Sequence, residues 1–282
     1  MKILLTGSNG YIGKHLKNKL SQNNLIFEIS RDKKYCKNTN NCFYFDLSTN
    51  KKISKITSTK LKYTGINCII HMAFETNKNI KSNNFQLLQK NMNISFAMAE
   101  IIKIIKPSIF LNFSSVSVYP YKNGCFDELS ICDPSFNSDF FYGLAKINSE
   151  LMFNHILDNY GIRIVHLRLS QVIDKEMPNN RIYPIFLEQI LKNNKIEIYG
   201  NGLRKIPIIN ISYLNTCIDK IINSNFEGII NIGQENISIK NLARRAIKLL
   251  GDKNTKIIYN KEKTISNNKF TVDFKLIKSL FN

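Results

Sequence analysis

A chain of 282 residues, 43% of them hydrophobic, can bury a substantial core and suits one large α/β domain or a nucleotide-binding domain with a small cap. Its formal charge of +19 invites a polyanion, yet the lysines are scattered among asparagines with no dense basic tract or aromatic ladder. The balance argues against nucleic acid and for a basic surface that draws anionic small molecules. No apolar run approaches the ~18 residues of a membrane span, and the chain enters its first strand after one lysine with no leader pattern. Cys36, Cys42, Cys68, Cys125, Cys132 and Cys217 show neither a C-x-x-C pair nor ligand spacing. They read as reduced thiols of a cytoplasmic protein with no metal site and no membrane partner.

The first element is the strand Ile3-Leu4-Leu5, followed by Thr6-Gly7-Ser8-Asn9-Gly10-Tyr11-Ile12-Gly13 and then by Ile12, Leu16 and Leu20 at helical spacing. Three glycines between a strand and a helix do separate jobs in a dinucleotide loop: a tight turn, close backbone approach to the pyrophosphate, and close packing of helix on strand. Free N–H groups at the helix start then receive the phosphates. The second strand, Leu25 to Ile29, runs into Ser30-Arg31, where an arginine suits the 2′-phosphate of NADP(H) and an acid, here Asp32, the ribose of NAD(H). Phe43 to Leu47 reads as a third strand whose Asp46 either reaches the adenine amino group or caps the next helix. The fourth, Cys68 to Ala73, carries His71, which reads as a packed strand-end histidine beside a small Ala73 that leaves room for the cofactor.

Apolar residues recur at spacings of three and four from Phe85 to Ile105, a long helix halted by Pro107 with Asn91 facing either solvent or the interior. Ile109 to Phe113 is a buried parallel strand that delivers Ser114, Ser115 and Ser117 to the carboxyl edge of the sheet, where open α/β folds bind ligands. Farther on, Tyr142 and Lys146 stand four residues apart and so share one helix face. A phenol with an ordinary pKa of ~10 is a poor acid or base at neutral pH, but a neighbouring ammonium and a cationic nicotinamide stabilise its phenolate. A hydroxyl such as that of Ser115 can share the same carbonyl oxygen, coupling proton to hydride transfer. The C-terminal part alternates strands at 195–199 and 206–211 with helices at 213–223 and 238–250, and the Lys/Asn loops of the chain near 48–64 and 260–269 read as surface rather than linkers.

These motifs together resemble the extended short-chain dehydrogenase/reductases, the NAD(P)-dependent epimerase/dehydratase group that works on nucleotide sugars. The resemblance runs through the glycine loop, Asp46, His71-Met72-Ala73, Asn91, Ser114 to Tyr119, Tyr142-Gly143-x-x-Lys146 with Glu150, Arg168, Tyr199 to Gly202, and Asn231-Ile232-Gly233. It implies a Rossmann doubly wound parallel sheet in residues 1–168 plus 207–232, binding NAD(P), and a smaller substrate-binding lobe in 169–206 plus 233–282. It implies Ser115, Tyr142 and Lys146 as catalytic residues and Ser117, Gln171 and Arg204 as sugar-nucleotide contacts. The cofactor residues would be Gly7, Asn9, Gly10, Tyr11, Ile12, Gly13, Ser30, Arg31, Asp46, Leu47, Met72, Ala73, Asn91 and Ser114, with Tyr142 and Lys146. Homodimerisation through the helices at 85–105 and after Tyr142 is the corresponding expectation.

Departures from the family pattern narrow the activity. Val116 and Ser117 stand where the 4,6-dehydratases carry Asp-Glu, and the Cys and His of the epimerising reductases are absent, Ser117 taking the cysteine's place and no histidine following Arg168. Gln171 replaces a phosphate-contacting asparagine, and 206–213 replaces a run with an arginine, so either Arg204 or Lys205 supplies that charge or the substrate carries its phosphate differently. With Ser30-Arg31 pointing to NADP(H), the expectation is NADPH-dependent reduction of the 4-keto group of a nucleotide-linked 6-deoxy sugar in polysaccharide precursor synthesis. The alternatives are a nucleotide-sugar 4-epimerase with bound NAD and a non-catalytic dinucleotide-binding protein.

Overall fold

Ile3, Leu4 and Leu5 are fully buried, the signature of a strand covered on both faces. In the computed structural model, which describes residues 1–76, 85–177, 181–260 and 269–281, the first half of the chain alternates strand and helix. The elements are β1 (Lys2–Thr6), α1 (Tyr11–Leu20), β2 (Leu25–Ser30), α2 (Lys33–Lys37), β3 (Cys42–Tyr44), α3 (Lys55–Lys62), β4 (Cys68–His71), α4 (Phe85–Ile105) and β5 (Ile109–Ser115). There follow β6 (Gly124–Phe126), α5 (Phe140–Leu157), β7 (Arg163–Leu169), β8 (Gln171–Ile173), α6 (Ile182–Asn193), β9 (Lys195–Tyr199), β10 (Lys205–Asn210) and α7 (Ile211–Ile222). The chain ends with β11 (Gly228–Ile232), β12 (Glu235–Ser238), α8 (Ile239–Leu250), β13 (Lys256–Asn260), β14 (Phe270–Val272) and α9 (Lys275–Ser279).

Seven strands form one sheet in the order β11-β7-β5-β4-β1-β2-β3, and β1 runs parallel to both β2 and β4, as β4 does to β5 and β5 to β7. From β1 the chain lays strands first to one side and then, from β4, to the other. Such a reversal opens a crevice at the carboxyl ends of the strands. Below it, Leu4, Ile69 and Phe110 of the sheet pack with Met98, Ile101 and Ile102 of α4 and Phe153 and Leu157 of α5. Each such side chain contributes roughly 1.5–3 kcal/mol by leaving water. The predicted long helix holds over all 21 residues of α4. It stops where Lys106 turns left-handed (φ 51°) before Pro107, which cannot continue a helix.

The chain divides into two compact units, residues 1–120, 131–169 and 215–230 in the first, and 121–130, 170–214 and 231–282 in the second. The second has its own core, in which Phe186, Leu187 and Ile190 of α6 meet Ile196, Ile198, Ile206, Ile208 and Leu242. These bounds differ from the expected ones at 121–130, 169, 207–214 and 231–232. β11 does return to the seven-stranded sheet, but both edges of β10 are taken by β8 and β12, which keeps it in the second unit. Likewise β6 pairs with β14.

Three smaller expectations change. The third strand ends at Tyr44, because Asp46 Oδ1 accepts from Ser48 N (3.0 Å) and Ser48 Oγ (2.7 Å) and turns the chain. The Lys/Asn stretch at 48–64 contains α3, capped by Ser54 Oγ accepting from Thr57 N at 3.1 Å. Of the stretch at 260–269, residues 261–268 lie outside the described residues. The reading of six reduced thiols is corrected: the loop through α2 brings the Cα atoms of Cys36 and Cys42 to 5.0 Å and the two form a disulfide, leaving Cys68, Cys125, Cys132 and Cys217 as thiols. Among the described residues, no helix is long and apolar enough to cross a membrane.

Candidate active site

Thr6 ends β1 and the glycine loop begins at once. Gly7 has φ +74°, and a Cβ there would lie 2.8 Å from Ala73 N, so only glycine fits the approach of the loop to the end of β4. A Cβ at Gly13 would overlap the Gly7 carbonyl. Gly10 N-caps α1 without a side-chain hydrogen bond, so the first turn of α1 presents the N–H groups of Ile12 and Gly13 to a ligand. Ser8 Oγ is buried with no hydrogen-bond partner. A cavity of about 420 Å³ opens here, lined by Gly7, Ser8, Asn9, Gly10, Ser30, Arg31, Asp32, Asp46, Leu47, Met72, Ala73, Phe74 and Glu75 among others. A helix start without a cap, a turn closed to any Cβ and an unpartnered buried hydroxyl are what the phosphates of a dinucleotide require.

The far rim is polar. Ser30 Oγ accepts from Asp32 N (3.1 Å) and Asn9 Nδ2 (3.3 Å), and Asp32 caps α2 by accepting from Tyr35 N at 3.0 Å. The Arg31 guanidinium, its side chain 63% exposed, pairs with the Glu75 carboxylate. Asn91 has turned inward from α4 and holds the Glu75 backbone on both sides, Oδ1 accepting from its N–H at 2.8 Å and Nδ2 donating to its carbonyl at 3.1 Å. His71 is structural, as its strand-end position suggests. It is buried, its Nδ1 lies 2.7 Å from Thr6 Oγ1, and desolvation together with the nearby Lys146 charge pushes its pKa down to about 3.

β5 carries Ser114 and Ser115 to the same edge of the sheet. Ser115 Oγ accepts from Ser117 N at 3.1 Å, closing a short turn, and Ser117 Oγ donates to Asp139 Oδ2 at 3.2 Å. The Asp139 carbonyl in turn accepts from Tyr142 N at 2.9 Å, at the start of α5. A Cβ at Gly143 would overlap the Ser117 carbonyl, so glycine is what lets α5 lie against this turn with Tyr142 beside it. One turn on, Lys146 is 3% exposed, and its Nζ donates to the Phe113 carbonyl at 2.5 Å and sits 5.6 Å from the Tyr142 ring centroid. Burial pushes the lysine pKa down to about 7, against the opposing pull of Glu150.

The structure thus gathers Ser115, Ser117, Tyr142 and Lys146 at one place, and Gly7, Asn9, Gly10, Ser30, Arg31, Asp46, Leu47, Met72 and Ala73 around one cavity of the same unit. Ser114 faces elsewhere: its Oγ donates to Glu150. Glu150 is the centre of a buried network, accepting from Arg168 Nε (3.2 Å) and Nη2 (2.8 Å), while Arg168 Nη1 donates to Tyr119 Oη at 3.0 Å. Gln171 and Arg204 belong to the second unit, where Gln171 opens β8 in register with Ile208 and Arg204 Nη1 donates to Tyr121 Oη at 3.3 Å. Sequence reasoning missed Ser8, Phe74, Glu75 and Asp139. Ser8 alone had a local signal, its place inside the glycine loop; the others act through partners distant in sequence.

A family model described as the NAD dependent epimerase/dehydratase family matches residues 3–233. A dTDP-D-glucose 4,6-dehydratase of Dictyostelium discoideum is 24% identical over 273 residues, covering 88% of this chain and 62% of that protein. Two solved structures share the fold. The UDP-N-acetylglucosamine 4-epimerase from Methanobrevibacter ruminantium M1, in complex with UDP-N-acetylmuramic acid, superposes with TM-score 0.80 at 21% identity, covering 99% of this chain and 91% of that one. The UDP-glucuronic acid 4-epimerase from Bacillus cereus, in complex with NAD, gives 0.77 at 22%, covering 99% and 92%.

Proposed function

The chain belongs to the NAD dependent epimerase/dehydratase family, and on that premise we propose that it reduces the 4-keto group of a nucleotide-linked 6-deoxy sugar with NADPH. The observation that carries this is the meeting of Tyr142 and Lys146, one helical turn apart, with the Ser115-Ser117 turn in the unit that holds the glycine-loop cavity. A bound nicotinamide dinucleotide supplies the hydride. Gly7, Ser8, Gly10 and the first turn of α1 bind its phosphates, Asp46 and Arg31 face its adenosine end, and Lys146 holds the nicotinamide ribose. Ser115 donates a hydrogen bond to the substrate carbonyl, and the Tyr142 phenol delivers the proton that the new hydroxyl needs. Ser117, Gln171 and Arg204 contact the sugar nucleotide.

A second reading, a nucleotide-sugar 4-epimerase retaining NAD, is favoured by two observations. Arg31 is already engaged by Glu75 rather than free for a 2′-phosphate, and the epimerase from Bacillus cereus was solved with NAD. A homodimer through α4 and α5 is the proposed assembly, supported by the exposure of Phe96 (52%) and Leu151 (64%) on those helices.

The experiment offers 4-keto-6-deoxy nucleotide sugars and NADPH and weighs the product by mass spectrometry. Reduction adds two hydrogens to the sugar and consumes one NADPH per product, and Tyr142→Phe lowers turnover by roughly 10²–10⁴-fold. Interconversion of 4-hydroxy epimers without net NADPH oxidation, on protein that carries NAD through purification, would decide for the epimerase.

A further inference from the structure

One side chain between the glycine-loop cavity and the Tyr142–Lys146 pair has no role in the reading above. Phe74 lines the cavity with Gly7, Gly10 and Ala73. Its ring centroid is 3.4 Å from Lys146 Nζ, and it meets the Tyr142 ring edge to face at 5.8 Å between centroids. An ammonium over a ring face is held by the ring's quadrupole, and more strongly where water is excluded. The backbone on either side is pinned. Ala73 N–H donates to Thr6 Oγ1 at 3.2 Å, and Glu75 is held by Asn91 through its N–H and carbonyl and by Arg31 through its carboxylate. The ring can therefore move through its own side-chain torsions without the strand end moving.

We propose that Phe74 is a positioning residue that covers Lys146 and Tyr142 while the dinucleotide is absent, and that its ring must rotate off the lysine before the nicotinamide-ribose half can engage the pair. This rests on Lys146 being the ribose-holding group. Ring and ribose hydroxyls then compete for one ammonium, so the full dinucleotide binds less tightly than the cavity alone would allow, by the fraction of protein in which the ring is closed. A ligand that ends at the phosphates escapes that competition. The ring also keeps water from the amine, whose titratable neighbours are the Glu150 carboxylate on α5 and the neutral His71 imidazole at the end of β4. Rotation rehydrates the lysine as its new partner arrives.

Isothermal titration of ADP, NADH and NADPH into wild type, Phe74→Ala, Phe74→Leu and Phe74→Tyr tests this. In Phe74→Ala the dissociation constant of the preferred dinucleotide falls about three- to tenfold, while that of ADP stays within about twofold. Phe74→Tyr, which keeps the ring face, behaves as wild type. Phe74→Leu, which keeps bulk without a quadrupole, falls between, and it keeps the test alive if the alanine variant does not fold. Independently of any ligand, Lys146 in Phe74→Ala reacts faster with an amine-directed ester at pH 7.5, read by peptide mapping, and bound dinucleotide protects it. Equal or weaker dinucleotide binding in Phe74→Ala with ADP unchanged, or unaltered Lys146 labelling, overturns the proposal. Wild type that binds ADP but neither dinucleotide overturns the cofactor reading and this inference with it, a result told apart because it appears before any substitution is made.

Discussion

The two ends of the sheet's carboxyl edge are built on opposite principles. At β1 and β4 the site is made by missing side chains: Gly7 and Gly13 leave space that no Cβ could share, and the helix start of α1 is left without a cap. At β5 and β7 it is made by side chains that burial would forbid were they alone. There Arg168, Glu150, Ser114 and Tyr119 satisfy one another around Lys146. The first end is specified by backbone shape and the second by electrostatic closure, so the two should fail in different ways.

The sharpest break is Arg168→Met. Burial works against the arginine's charge, but the hydrogen bonds and charge of Glu150 more than offset it and keep the guanidinium protonated. Removing one partner strands the other: Glu150 is 3% exposed and, among the described residues, would keep the Ser114 hydroxyl as its side-chain hydrogen-bond donor and the Lys146 charge nearby. A loss of about 3–5 kcal/mol in urea unfolding is expected, against a change below about 0.5 kcal/mol for the exposed Lys192→Ala. A loss under about 1 kcal/mol would show that the network does not support its end of the sheet.

Acid compares the ends through one histidine in each. Desolvation and the Lys146 charge set His71 at about 3, at the end of β4 beside β1, while desolvation sets His166 at about 4, with Glu150 opposing and Arg168 adding to the fall, within β7. Both values lie below the unfolded 6.5, so the unfolded chain takes up each proton first. The stability they give is present above pH 6.5 and is lost as pH falls toward the folded values. The loss is about 1.4 kcal/mol per pH unit for each histidine. Lys146, at about 7 folded against 10.5 unfolded, exerts its own pH effect between those two values and adds little slope below them. Urea midpoints between pH 6.5 and 5.0 should fall accordingly, and His166→Gln should halve the slope. An unchanged slope would mean that the imidazole is not held neutral.

The first end was the more legible in sequence for the same physical reason. A glycine trio between a strand and a helix states its geometry in adjacent residues, and the step from Tyr142 to Lys146 states a helix face in four. Closure of the second end depends on Ser114 meeting Glu150 and Glu150 meeting Arg168, pairs 36 and 18 residues apart whose contact only the fold reveals. A short apolar run marks β10 as a strand but not which neighbours take its edges. Phe74 looks like one more apolar residue until its ring is found over an ammonium. Cys36 and Cys42, six apart, carry no sign of the turn that joins them.

Gly13→Ala probes the backbone end. The added methyl would strike the Gly7 carbonyl and lie 2.7 Å from Ser8 Cα, so loop and helix must part. Stability should fall by about 1–3 kcal/mol and dinucleotide affinity at least about tenfold, because the phosphate donors move with the loop. Gly161→Ala is the control. Its φ of +64° carries the left-handed strain, about 1 kcal/mol, but nothing lies within 4 Å of the new Cβ, so binding should not change.

The smallest effect separates the two principles most cleanly. Ser8 Oγ is buried without a hydrogen-bond partner and carries a desolvation penalty that no protein contact returns. Ser8→Ala should therefore leave stability unchanged or raise it by up to about 1 kcal/mol, the opposite of what loss of a hydrogen bond does in the Arg168 network. Dinucleotide affinity should drop about three- to tenfold as the phosphate loses one donor. Thermal melts with and without dinucleotide read both signs in one experiment. Destabilisation of the free protein would mean that the hydroxyl serves the fold rather than the ligand, and the phosphate role would then rest on the backbone alone.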